Sequence, residues 1–255
     1  MGKTKRLTQV RAGRMVKAVI YTQPCASDEP NARAAKSKVS SAARERLNRR
    51  QSWMQLEELL AANFEHDDLF VTLTYTDAPE LRVAAQKCCC SFIRLLSAAR
   101  KARGEELRYV KNCEHLRDDG SEGRWHHHLV INRTEAGGDF EEIRSLWSAW
   151  GENVDIQPLL SPGESYEARA RYLAKERPPV GKNSWTPSRN LVRPVKTSEL
   201  VDDALTLSAP PGAVILESDR QSNGWGEFVY IKYLLPYKPK KKKKETGRVP
   251  ISVLG

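Results

Sequence analysis

The sequence predicts an α+β protein built on a split βαβ antiparallel sheet with helices on one face, preceded by an N-terminal helix and followed by a basic C-terminal tail. Three observations carry this reading. Candidate elements between residues 64 and 177 run β-α-β-β-α-β and then helix. The two central strands flank a short polar loop holding Asp118, Asp119 and Gly120, as a hairpin requires, and six lysines crowd into Lys238–Lys244.

Each element has its own signal. Residues 1–35 are polar, contain Pro24 and Pro30 and keep no sustained period, so only a short strand over Met15–Tyr21 is expected there. From Ala34 to Ala62 the apolar positions recur mostly every three or four residues, which predicts a long basic amphipathic helix ended by Asn63. Leu69–Thr76 is β-branched and aromatic and reads as a strand. Pro79 opens a helix that Gly104 closes after Arg103. Leu107–Glu114 and Arg124–Asn132 form the hairpin strands, Asp139–Trp150 a helix, and Val154–Leu159 a strand. Ser161, Pro162 and Glu164 then supply a cap, a first-turn proline and a capping-box carboxylate for a helix running to Arg177, before Pro178 and Pro179. The chain accordingly divides into an extension with the long helix (1–63), a central domain (64–177), an appended region (178–237) with apolar Trp225–Leu235, and a lysine-rich tail (238–255) expected to be a flexible arm.

Composition narrows the partners. The net charge is +10, from 42 Lys+Arg against 32 Asp+Glu, and the tail lysines account for six of these charges, leaving +4 for residues 1–237. A basic excess makes nucleic acid the first partner to consider, because phosphate contacts release counterions. No stretch is apolar enough for a membrane helix, and the first sixteen residues hold no apolar run for a signal peptide, so a soluble, intracellular protein is expected. Five cysteines, three of them consecutive at Cys88, Cys89 and Cys90, do not make a disulfide framework.

Candidate chemistry falls in two places. His126, His127 and His128 lie in a predicted strand, where alternate residues share a face. His126 and His128 therefore point together and make half a metal site, while His127 points to the core with Leu129 and Ile131. Glu114, at the end of the preceding strand, is the candidate third ligand, since His115 should face the other way. Two histidines and a carboxylate suit a divalent ion that keeps positions open for a substrate oxygen. Tyr172 and Lys175, three residues apart on the capped helix, share one surface, whereas Tyr166 lies on the other side.

These residues carry a family resemblance. FVTLTY at Phe70–Tyr75, GRWHHHLVI at Gly123–Ile131 and YLAKE at Tyr172–Glu176 stand in the order and spacing of the three motifs of HUH endonucleases, and look most like the replication-associated proteins of prokaryotic rolling-circle phages and plasmids. The long basic helix and KNSWTPSRNL after the tyrosine extend the resemblance over residues 31–235. One departure is the middle position of the HUH motif, usually bulky and apolar and here His127.

The resemblance implies an HUH catalytic domain at 64–177 that nicks and rejoins single-stranded DNA at a replication origin. Tyr172 would be the nucleophile, Lys175 its helper, and His126, His128 and Glu114 the ligands of Mg²⁺ or Mn²⁺, although ligand chemistry alone also permits Zn²⁺. Thr72, Thr74 and Arg124, with Lys238, Lys240, Lys241, Lys242, Lys243 and Lys244 of the tail, are the expected DNA contacts. A host helicase would be a partner and the prokaryotic cytoplasm the location. Other readings stay open: a non-catalytic single-strand binding module, which needs exposed aromatics but no metal; a related HUH transposase or relaxase; and a zinc hydrolase, for which no HExxH helix is present.

Overall fold

The computed structural model describes residues 5–23, 41–116, 121–161, 164–175, 183–224 and 226–237. The split βαβ unit is present as β3 (Leu69–Thr74), α2 (Arg82–Ala102), β4 (Tyr109–Leu116), β5 (Glu122–Ile131), α3 (Asp139–Trp147) and β6 (Val154–Pro158). Its strands pair antiparallel in the order β6-β3-β5-β4, the ferredoxin- or RRM-like arrangement, and β7 (Trp185–Pro187) adds to the β4 edge.

Helix α2 packs on one face of this sheet because Ala85, Cys89, Phe92, Ile93, Leu96 and Arg100 form a single buried stripe. With Trp147 and Ile143 of α3 they bury Leu69, Val71, Leu73, Leu129 and Ile131. The fully buried Arg100 guanidinium pairs with Asp139 at 2.8 Å and donates to the Asn132 carbonyl at 2.8 Å, so it fastens α2 to the start of α3.

The second face carries two further helices over part of its area. Leu56, Leu59 and Leu60 of α1 (Ser41–Asn63) and Ala170 and Leu173 of α4 (Tyr166–Leu173) pack on Phe70, Val110 and Val130. Helix α4 begins at Tyr166, later than the capping signal at Ser161 predicts. Glu164 does accept the Ser161 backbone N–H at 2.8 Å, but this contact closes a turn ahead of the helix. The chain is held there by buried Leu159 and Leu160, whose N–H groups extend the pairing beyond β6 onto the Asp68 and His66 carbonyls.

A second antiparallel sheet departs most from the sequence reading. Lys5–Ala12, expected to lack regular structure, forms β1; β2 (Met15–Thr22) matches the expected strand; and β8 (Val195–Val201), β9 (Val214–Asn223) and β10 (Gly226–Leu234) join them in the order β8-β1-β2-β10-β9. The segments at 1–63 and 178–237 thus meet in one sheet. Gly13 makes this possible twice over: its φ of 57° turns the β1–β2 hairpin, and a Cβ there would sit 2.3 Å from the Ala61 carbonyl oxygen of α1. The part of the long helix predicted before Ser41, the predicted helix end beyond Lys175 and the lysine tail lie outside the described residues. No described helix is long and apolar enough to cross a membrane.

Candidate active site

Strand alternation assembles the site. On β3, β5 and β4 the even-numbered residues make three cross-strand rows on the second face: Phe70, Val130 and Val110; then Thr72, His128 and Asn112; then Thr74, His126 and Glu114. The first row is buried under α1 and α4. The two polar rows continue it toward the C-terminal end of α4, and His128, Asn112 and Glu114 within them are buried as well. The intervening His127 turns to the α2 face, is fully buried, and has its Nε2 2.7 Å from the Tyr75 hydroxyl. Burial pushes its pKa down to about 3, so it stays neutral and serves the core. His115 also lies away from the site, stacked on Trp125 at 4.6 Å between ring centroids.

Glu114, His126 and His128 present ligand atoms within 4.8 Å of one another. In both histidines Nδ1 is already engaged: that of His128 lies 3.1 Å from Thr72 Oγ1 and that of His126 is 2.9 Å from the Arg124 carbonyl. A carbonyl can only accept, so His126 carries its proton on Nδ1 and offers Nε2 as a lone pair. Thr72 can hold His128 in the same tautomer, the usual support for a metal-ligating imidazole. Burial, opposed by Glu114, lowers the His128 pKa and keeps that lone pair available.

Glu114 is fully buried, and neither of its carboxylate oxygens has an aligned hydrogen-bond donor. Its charge is met instead by Lys175 Nζ at 2.9 Å, and His128 Nε2 lies 3.5 Å away. Burial pushes this carboxyl up, but His128 and Lys175 outweigh it and hold the group below the usual glutamate range. A buried, ionised carboxylate with unsaturated oxygens, beside two imidazole lone pairs, is a donor set that fits a divalent cation. Three protein ligands leave coordination positions for a substrate.

Helix α4 brings its tyrosine to this cluster. Asn112 Nδ2 donates to the Leu173 carbonyl at 3.0 Å and fixes the helix end on the sheet. Tyr172 then places its hydroxyl 3.2 Å from His128 Nε2, and Lys175 Nζ lies 4.0 Å over the Tyr172 ring. Phe70 stacks on His128 and meets Tyr172 edge-on, which walls the site on its buried side. Tyr166, in contrast, donates its hydroxyl to the Phe64 carbonyl at the end of α1.

The structure therefore brings together Tyr172, Lys175, His126, His128, Glu114, Thr72 and Thr74. Arg124 has its guanidinium committed to the Tyr75 and Thr76 carbonyls, where it braces the end of β3. Lys238 and Lys240–Lys244 lie outside the described residues. Asn112 and Phe70 went unnoticed in the sequence, although each stands an even number of residues from a site residue on its own strand.

An antiparallel sheet thus places a His-His-Glu cluster that could hold a metal ion beside a tyrosine of α4. Residues 68–177, which span all of these parts, match the family of replication-associated protein ORF2/G2P. The match supports a role in DNA replication. No curated protein and no solved structure matches the chain.

Proposed function

We propose that the protein initiates rolling-circle replication by nicking and rejoining single-stranded DNA at an origin through a covalent 5′-phosphotyrosine. The observation that carries this reading is the Tyr172 hydroxyl, 3.2 Å from a histidine of the only His/Cys/Asp/Glu cation cluster among the described residues. The family match over the same residues supports it.

In this reading the Tyr172 oxygen attacks the scissile phosphorus, the P–O3′ bond breaks, and the 3′-hydroxyl leaves. One phosphoester replaces another, so a 3′-hydroxyl can later reverse the step and reseal a strand. A phenol with a pKa near 10 is a weak nucleophile at neutral pH. Lys175, over the Tyr172 ring, favours the phenolate. His126, His128 and Glu114 would hold Mg²⁺ or Mn²⁺, which when bound acts as a Lewis acid on a non-bridging phosphate oxygen. His128 Nε2 has one lone pair, so it can serve the Tyr172 hydroxyl or a cation but not both. Single-stranded DNA is the substrate and a host helicase a partner to be sought.

The test uses a single-stranded oligonucleotide with and without divalent metal. Wild-type protein should form a metal-dependent adduct that survives denaturing electrophoresis. Tyr172→Phe should bind DNA and form none. Wild-type adduct levels in that variant would rule Tyr172 out as nucleophile, and metal-independent binding without any cleavage would favour a non-catalytic single-strand binding module.

A further inference from the structure

The first half of α1 poses a question that the nicking site does not answer. Its residues from Arg46 to Arg50 are all exposed, whereas Leu56, Leu59 and Leu60 of the second half are buried. At 100° per residue, Arg46, Arg49, Arg50 and Trp53 fall within about 100° of arc on one side of the helix. Continued along the axis, that side becomes Glu57 and Leu60, which are fully buried against the body. The arginines thus occupy the body-facing side of a helix that has run past the edge of the body. That is not where an ordinary solvated charge stripe would lie.

Among the described residues no carboxylate pairs with Arg46, Arg49 or Arg50, whereas Lys17, Lys196 and Arg171 around α1 each have an acidic partner. The stripe also leads somewhere. Arg171 of α4 stacks its guanidinium 4.0 Å over the Trp53 ring, and Arg171 is the residue before Tyr172. Three cations without an acidic partner among the described residues and an indole capped by a fourth line a track of about 10 Å along α1 and lead to Arg171, the sequence neighbour of Tyr172.

We infer that Arg46, Arg49, Arg50 and the Trp53–Arg171 stack bind the backbone of the single strand leading to Tyr172. Resting on the nicking reading, this adds where the substrate runs. Unpaired guanidiniums on the inner side of a projecting helix complement phosphates, and an aromatic ring beside them gives a base a stacking partner. The occupant is single-stranded DNA, since the track ends at a reacting tyrosine that needs an exposed backbone.

Binding is best measured by anisotropy of a labelled oligothymidylate across a salt series, without divalent metal and in the Tyr172→Phe background, so that the result does not depend on cleavage. Replacing Arg46, Arg49 and Arg50 together by Gln should reduce the slope of log affinity against log salt by about 2. Arg44→Gln, on the opposite side of the helix, should leave the slope unchanged. Trp53→Phe should weaken binding several-fold and remove part of the tryptophan quenching that DNA causes. An unchanged slope in the triple variant, an equal effect from Arg44→Gln, or a change seen with duplex but not single-stranded DNA would each overturn the track. If wild-type protein fails to nick while the slope still falls, the track stands and the nicking reading fails.

Discussion

Thr72 shows how much of the site is settled by one hydroxyl. Its sequence context suggests a DNA contact, yet its Oγ1 lies against His128 Nδ1 and selects the ring nitrogen that faces Glu114. Thr72→Val keeps shape but removes this partner, so metal affinity, read by calorimetry with Mn²⁺, should fall 10–100-fold, in the range seen for such supporting contacts. His126→Ala and His128→Ala should each abolish metal-dependent cleavage. His127→Ala should act differently. Its side chain is fully buried and bonded to Tyr75, so truncation should cost about 2–4 kcal/mol of stability in urea unfolding while leaving the Mn²⁺ isotherm in place. Loss of Mn²⁺ binding only in the His127 variant would reverse the assignment of faces. This much was legible in advance, because strand period separates His127 from its neighbours without any tertiary knowledge. The role of Thr72 was not, because it depends on which residue of a sequence-distant strand sits opposite His128.

At the scale of elements, the second sheet is joined to the site helices by buried charge. Lys232 of β10 pairs with Glu57 of α1 and Glu167 of α4, both at 2.7 Å, and Lys17 of β2 pairs with Glu57 at 2.7 Å. Lys232 and Glu57 are 3% and 0% exposed, so neither charge can turn to water if its partner is lost. Lys232→Ala should therefore cost about 3–5 kcal/mol, measured by urea unfolding, and should loosen α4 enough to lower the adduct rate. Lys232→Met with Glu57→Gln should recover part of the stability, since it removes both charges and keeps the volume while Lys17 retains Glu58 at 3.5 Å. A loss in the double variant as large as in Lys232→Ala would assign the cost to packing instead of charge. β1 is not legible in the sequence for another reason: KRLTQVRA has little apolar content, and it becomes a strand because β2 and β8 flank it. The split βαβ unit was readable because each of its elements carries its own period and breakers.

For the whole molecule, two charge effects can be separated by experiment. The tail lysines are the larger share of the net charge, and deleting residues 238–255 should flatten the salt dependence of single-strand binding by up to about 4 in slope while leaving single-turnover cleavage at saturating protein unchanged. The second effect is alkaline. Tyr75 is buried and Tyr166 half-buried, with their hydroxyls donated to the Ala85 and Phe64 carbonyls, and desolvation raises both pKa values above the usual 10. In the unfolded chain both ionise near pH 10, whereas the folded protein holds them neutral. The stability they contribute is complete below about pH 10 and is lost as pH climbs from there toward the folded values, by about 1.4 kcal/mol per pH unit for each tyrosine. Tyr166→Phe removes one of these groups from the balance. Its unfolding free energy should fall less steeply than that of wild type between about pH 10 and pH 11.5, by about 1.4 kcal/mol per unit, and because its hydroxyl is tied to α1 the variant should retain substantial nicking. Parallel pH profiles for the two proteins would show that Tyr166 ionises as readily folded as unfolded, and loss of the adduct would bring Tyr166 into the chemistry.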